Sequence, residues 1–224
     1  MFPTQTQEKI YCGLDIGSQK IKAGLLAVRP NGEKELLGIY EQKTHGFKDG
    51  GIVDLGEFSE CIHSCLQQLT NNLGIKIKEV QLGVDGNMVD FRYANTALPL
   101  IDRGSKIISS RDIKKLNKHA RLLGIKVEEE LLHDLPQYYQ VDDINQAVNP
   151  LGLYGRKLGV SSLLILTNVN RFRNIIKAVN QAGFEVENFY FSSFASSGVA
   201  LSDIEKQEGC ALIDIGSKVT SILI

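Results

Sequence analysis

Cysteine is scarce in this chain. Four occur in 224 residues, Cys12, Cys61, Cys65 and Cys210, with no CxxC pair and no histidines at zinc-site spacing. A disulfide-stapled scaffold and a zinc ribbon are therefore excluded. Cys61 and Cys65 are four apart on a helical pattern with His63 between them, and buried thiols are the expected reading. Such usage fits a reducing, cytoplasmic compartment. Long apolar runs are missing too, and none approaches the length of a membrane span. Residues 1–5 lack the basic and apolar regions of a signal peptide, and no amphipathic anchor helix is evident at either end. Excess charge is the third absence. Lys and Arg total 25 against 26 Asp and Glu, a net charge of −1. No basic patch of the kind nucleic acid requires is visible, so no nucleic-acid partner is expected. The densest cationic cluster, residues 111–121, reads as the solvated face of a helix. With 43% hydrophobic and 23% charged residues, the composition is that of a globular protein.

What is present is a repeat. Asp15-Ile16-Gly17-Ser18 recurs as Asp214-Ile215-Gly216-Ser217. Each copy has an apolar run before it and a β-prone run after it, which is strand, tight turn, strand written twice. Gly17 and Gly216 are expected to take a positive φ and approach a ligand closely. Successive turn amides can point at a phosphate, and Ser18 or Ser217 adds a hydroxyl. Asp15 or Asp214 leaves its strand aimed at the same place, where Asp15 could hold a hydrated Mg²⁺. A single such turn is an ordinary hairpin. Two copies in one context point to an ancestral duplication and to two hairpins gripping one nucleotide.

Between the copies the pattern is α/β. Strands are expected at residues 10–14, 20–28 and 36–42, with a turn at Asn31-Gly32. A glycine loop follows at 46–51. A helix then opens at Asp54 with Glu57 three residues on, buries Phe58, Ile62, Cys65, Leu66, Leu69 and Leu73, and stops at Gly74. Residues 79–84 return as a strand. Next come β-like pieces at 88–94 and 98–101. A helix at 109–123 turns Ile113, Leu116, Ala120 and Leu123 inward and ends at Gly124. An extended stretch at 127–141 is broken by Pro136, and a further strand begins at 158–161. This block reads as an insertion with its own core. A buried strand at 163–166 resumes the rhythm. Helices at 170–182 and 193–204 follow, with a strand at 186–190 between them.

The order of these pieces resembles the actin/Hsp70/sugar-kinase superfamily. Within it, the segment His133-Asp134-Leu135-Pro136-Gln137-Tyr138-Tyr139-Gln140-Val141-Asp142 and the loop Asn149-Pro150-Leu151-Gly152-Leu153-Tyr154-Gly155 resemble motifs of the bacterial cell division FtsA family. Stretches 48–54, 176–183 and 194–197 match in type and order as well. The resemblance runs from about Tyr11 to the last residue. It implies an α/β, actin-like (ribonuclease H-like) fold with an inserted strand–helix–strand–strand subdomain. Subdomain 1A would comprise residues 1–84 and 162–194, the SHS2-like insert 1C residues 85–161, and the start of 2A residues 195–224. In that family the protein self-associates and links the FtsZ ring to the inner face of the membrane and to the divisome. FtsZ contact resides in a subdomain without counterpart here. The chain stops inside an apolar strand, so a truncated product or fragment is expected.

By the same resemblance, ATP with Mg²⁺ is the implied cofactor. Asp15, Gly17, Ser18 and Lys20 match the first turn, while Asp214, Gly216 and Ser217 stand in the second. The second turn departs from the family's glycine-rich pattern at Ser217, Lys218 and Ser221. Lys218 could contact a phosphate or fill its space, so weak or absent binding by the isolated chain is expected. Two alternatives stay open. One is an actin-like assembly protein of type IV pili. The other is a small-molecule kinase of the same fold, with Asp85, Asp102 and Asp134 as candidate carboxylates, although Asp102 before Arg103-Gly104 reads as a turn residue. His133 is expected to hold a loop through a hydrogen bond, Tyr138 and Tyr139 to follow strand packing, and Arg171 and Arg173 to face solvent.

Overall fold

The structure is a computed structural model that describes residues 8–101, 103–142 and 144–224. Residues 1–5 and the candidate Asp102 lie outside the described residues. Two compact units are present. One holds the chain up to Val89 together with Asn170–Ile224, and the other is Asp90–Val169.

The first unit opens as an antiparallel meander of β1 (Lys9–Ile16), β2 (Lys20–Val28) and β3 (Lys34–Lys43). Alternation drives it: Cys12, Leu14 and Ile16 of β1 and Ile21, Ala23, Leu25 and Ala27 of β2 are all buried on one face. The expected glycine loop at 46–51 is instead a two-stranded ribbon, β4 (Phe47–Lys48) and β5 (Gly51–Ile52). Asp49 and Gly50 have φ of 49° and 76°, the consecutive left-handed pair of a tight hairpin turn. Helix α1 (Leu55–Leu73) starts where Asp54 accepts the Glu57 amide at 2.8 Å and ends at left-handed Gly74. Phe58, Ile62, Cys65, Leu66 and Leu69 are its buried stripe, and Phe58 stacks on Phe47. Strand β6 (Glu79–Val84) lies parallel to β1.

The second unit contains β7 (Val89–Pro99), β8 (Lys106–Ile107), α2 (Ser110–Gly124), β9 (Glu129–Val141), β10 (Ile144–Ala147), β11 (Tyr154–Gly155) and β12 (Lys157–Asn168). Its main sheet has the order β10-β9-β12-β7, and β8 pairs with β11. The core gathers Leu116 and Ala120 of α2 against Tyr139, Val141, Leu158, Val160, Leu164 and Leu166. The two β pieces expected at 88–94 and 98–101 are one strand, β7, which runs unbroken from Val89 to Pro99 beside β12. Pro136 does not break β9. Its partner strand shifts register between Ser161 and Ser162, and β10 reaches β9 only at Tyr139 and Val141. Proline is accommodated at such a bulge, where the ladder donor it lacks is not needed.

Two more expectations change here. Helix α2 ends at Gly124 as expected, but without a left-handed φ there. The helix includes that residue, and a Cβ there would lie 2.5 Å from Leu164 Cδ1. Gly124 is thus a packing glycine, and Leu123 beside it faces solvent, not the core. The strands expected at 158–161 and 163–166 are one continuous strand, β12, and the compact unit runs on to Val169. A boundary between residues 161 and 162 would cut that strand in its middle, where it pairs with β9.

The chain rejoins the first unit through α3 (Val169–Gln181) and β13 (Glu185–Phe191), which pairs parallel to β6. The completed sheet is β13-β6-β1-β2-β3. Ile175, Ala178 and Val179 of α3 are buried, and His63 Nδ1 of α1 lies 2.9 Å from the Ala182 carbonyl just past α3. The single helix expected at 193–204 is two, α4 (Ser192–Ala200) and α5 (Asp203–Glu208). Ser202 interrupts them by capping α5 in a reciprocal box with Glu205. Strands β14 (Leu212–Ile215) and β15 (Thr220–Leu223) form the second hairpin.

Candidate functional site between the two hairpins

Parallel pairing sets the site. Asp15 lies beside Gly83, and Gly83 beside Tyr190, so β1, β6 and β13 end along one edge of the sheet. At that edge a cleft of about 360 Å³ is lined by both Asp-x-Gly-Ser turns. The first hairpin contributes Asp15, Gly17, Ser18 and Lys20, and the second contributes Asp214, Gly216 and Ser217. Glu41, Lys22, Asp85, Ser192 and Ser193 add further polar groups to the lining. Asp85 was a candidate carboxylate in the sequence, while Lys22, Glu41 and the adjacent Ser192 and Ser193 carried no motif there, since they come from β2, β3 and the start of α4.

The turn glycines work differently from expectation. Neither Gly17 nor Gly216 has a positive φ. Each donates its amide across the hairpin, Gly17 to the Lys20 carbonyl at 3.1 Å and Gly216 to that of Val219 at 2.9 Å. A Cβ at these positions would sit 2.8 Å and 2.9 Å from the same carbonyl oxygens. Closeness of the two backbones, not left-handed geometry, demands glycine. Thr44 braces the first turn, donating its hydroxyl to the Gly17 carbonyl at 2.8 Å and its amide to Gln19. Ser18 Oγ is buried with no hydrogen-bond partner among the described residues. An unmade bond at a buried hydroxyl is costly, so this atom points to a polar ligand.

Charge in the cleft is uneven. Ser192 Oγ donates to Asp15 Oδ1 at 2.6 Å, and Ser193 Oγ to Asp214 Oδ2 at 3.0 Å. Burial pushes the Asp85 carboxyl up, the Gly86 amide opposes this, and the negative Asp15 and Asp214 push it further. Lys20 is ion-paired with Glu41, which holds the Glu41 carboxyl below its usual range. Four carboxylates therefore face two ammoniums, and a phosphate entering would need a cation with it. Among the described residues no group of three or more His, Cys, Asp or Glu is placed to hold a metal directly. Lys218 neither fills the cleft nor lines it, because its ammonium lies 3.5 Å from Asp49. Ser221 packs its hydroxyl toward Gly86, where a Cβ would lie 3.0 Å away.

The remaining candidates are structural. Asp134 belongs to the second unit, accepting from Ser162 Oγ at 2.5 Å and pairing with Arg121 Nε at 3.2 Å. His133 is not in a loop. It sits in mid-strand opposite Ile165, and burial lowers its pKa. Tyr139 is buried with its hydroxyl 3.0 Å from Asn117 Nδ2. Asp142, at φ 50°, accepts the Arg156 and Lys157 amides, which closes the 149–155 loop onto β9. Arg171 and Arg173 are exposed, and Arg171 reaches the Asn87 carbonyl at 3.3 Å. Cys61 and Cys65 are buried thiols, and burial with the neighbouring Cys61 pushes the Cys65 thiol up to about 12.

A five-stranded sheet with two phosphate-type hairpins, interrupted by a strand–helix–strand–strand unit, defines an actin-like α/β fold carrying an insertion. The structure of the PilM–PilN type IV pilus biogenesis complex shares this fold over 95% of the chain and 56% of its own, with a TM-score of 0.62 at 15% identity. Residues 95–166, inside the second unit, match the family described as the SHS2 domain inserted in FtsA. The chain as a whole is a relative of the cell division protein FtsA. It is 30% identical to that of Streptococcus pneumoniae over 96% of the chain and 47% of the relative, and 29% identical to that of Pseudomonas aeruginosa over 96% and 51%. The chain thus spans about half the length of the curated relatives it matches. Among the described residues no helix is long and apolar enough to cross a membrane.

Proposed function

We propose that this chain is an FtsA-like division component whose first unit binds a nucleotide between its two hairpins. The observation that carries the reading is the single cleft lined by both copies of the repeat, with the orphaned Ser18 hydroxyl inside it. In this reading Ser18, Ser217 and the turn backbones receive the phosphates of ATP, and Lys20 neutralises charge after leaving Glu41. Asp15 would hold Mg²⁺ through water, consistent with a cleft that lacks a direct metal cage. The body with Asp15 would serve as subdomain 1A with the start of 2A, and Asp90–Val169 as 1C. Self-association would use these surfaces at the inner face of the division-site membrane. Contact with FtsZ would rest on the half of the relatives that this chain does not span. The pilus alternative shares the fold, while the sequence relatives are division proteins.

Affinity should be weak, since four carboxylates line the cleft and Asp214, Gly216 and Ser217 are exposed. Calorimetric titration with ATP and Mg²⁺ tests this. Saturable binding weaker than micromolar, lost in Asp15→Asn, is expected. No saturation at millimolar nucleotide, or unchanged binding in the variant, would overturn the nucleotide site. A micromolar dissociation constant would overturn the claim of weakness.

A further inference from the structure

Residues 105–127 hold seven Lys and Arg against one Asp, in a chain whose totals are 25 and 26. Helix α2 concentrates this charge. Asp112 is taken by Lys106, and Arg121 by Asp134. Arg111, Lys114, Lys115 and Lys118 remain, all exposed and without an acidic partner among the described residues. Their spacing puts them on one stripe of the helix, opposite buried Leu116 and Ala120. Arg111 with Lys115, and Lys114 with Lys118, are like-charge pairs at i,i+4, which destabilise a helix. Cations in the first turns also oppose the helix dipole. The Ser109–Asp112 capping box and Arg121 in the last turn suit the helix dipole, but among the described residues no acidic side chain offsets the repulsion within the stripe. Where the stripe ends, three aliphatic side chains stand in solvent: Leu122 at 69% exposure, Leu123 at 66% and Val127 at 98%.

We propose that α2 presents a docking face for an anionic lipid surface, with Arg111, Lys114, Lys115 and Lys118 on the head groups and Leu122, Leu123 and Val127 at the acyl boundary. The chemistry selects lipid over the other polyanions. Exposed aliphatics have no partner on a phosphodiester backbone, and α2 carries no aromatic to stack on bases. Three of the four cations are Lys, flexible point charges suited to a diffuse negative surface. Arg forks would favour the fixed carboxylates of an acidic protein segment. This face lies in the second unit and does not rest on the nucleotide reading.

Co-sedimentation of the full chain with phosphatidylcholine vesicles, with and without phosphatidylglycerol, tests the proposal. Binding should require the anionic lipid and weaken with added salt. Each neutralised cation should weaken it about fivefold, so K114Q/K115Q/K118Q should lose about a hundredfold. L122S/L123S should lose the part that survives high salt. All five positions are exposed, and circular dichroism with a thermal melt checks that each variant folds; single K115Q serves if the triple variant does not. Equal binding to neutral vesicles, or no loss in the Lys→Gln variants, would overturn the proposal. So would displacement of bound vesicles by an oligonucleotide or by polyglutamate at equal charge, which would assign the face to nucleic acid or to an acidic protein.

Discussion

Ser192 Oγ donates to Asp15 Oδ1 at 2.6 Å, and the very next hydroxyl, Ser193 Oγ, donates to Asp214 Oδ2 at 3.0 Å. The first residues of α4 thus hold the aspartates of both hairpins. These contacts join positions 177 and 21 residues apart. Hydrogen bonds to a carboxylate are stronger than neutral ones, and these two fix where the two walls of the cleft stand.

Replacing Ser192 by Ala removes the donor while leaving Asp15 half-buried. We expect a loss of about 1.5–3 kcal/mol, the range for a hydrogen bond to a charged group, read from urea unfolding. A change under a few tenths would mean that water replaces the hydroxyl.

Gly83 lies under the same bond. A Cβ there would be 2.6 Å from Ser192 Oγ and 3.2 Å from Asp15 Oδ1. Gly83→Ala should cost about 1–3 kcal/mol through overpacking. Because both changes break one contact, Gly83→Ala with Ser192→Ala should cost clearly less than the two singles combined. Additive costs in the double-mutant cycle would contradict the shared contact.

Helix propensity favours Ala over Gly by about 1 kcal/mol in a helix interior, and by less at Gly124, the last residue of α2. At Gly124 packing should reverse that sign, since the added carbon meets fully buried Leu164 at 2.5 Å and Ala94 at 3.0 Å. Gly124→Ala is expected to lower the melting temperature. A rise would show that the core yields.

The second unit should show its own acid dependence. Arg92 hydrogen-bonds both oxygens of Glu129 at 2.6 Å, and this holds the Glu129 carboxyl at about 2. A depressed carboxyl stabilises the fold fully above its ordinary value near 4.5, and that share is lost as pH falls from there toward 2. Asp112, held at about 2 first by Lys106 and then by Ser109, follows the same sign. Arg92→Ala should cost about 2 kcal/mol at neutral pH and flatten the pH dependence of unfolding below about 4.5. An unchanged acid profile would remove Glu129 from the account.

Local chemistry was legible in the chain. The start of α1 at Asp54, its stop at Gly74 and both hairpins follow from caps, turns and alternation within a few residues of each other. Both Asp-x-Gly-Ser turns are equally visible in the sequence, and both line the cleft. Misreadings fell where a distant partner decides. Leu123 resembles a core position until Gly124, not Leu123, is placed against Leu164, and Pro136 resembles a break until the register shift opposite it is seen. Gly17 is a local exception: it resembles a left-handed turn residue, and the carbonyl of Lys20 three residues on demands glycine without that φ.

The repeat was therefore written in sequence, because each copy is a local strand–turn–strand. Its joining into one cleft was not. That depends on β6 pairing in parallel with β1 on one side and β13 on the other, with Asp15 beside Gly83 and Gly83 beside Tyr190. Long-range register of this kind leaves no periodic mark on the segments it aligns, so Ser192 and Ser193 become visible only when the strand ends share an edge, and Asp85, a candidate carboxylate in the sequence, is placed there by the same edge.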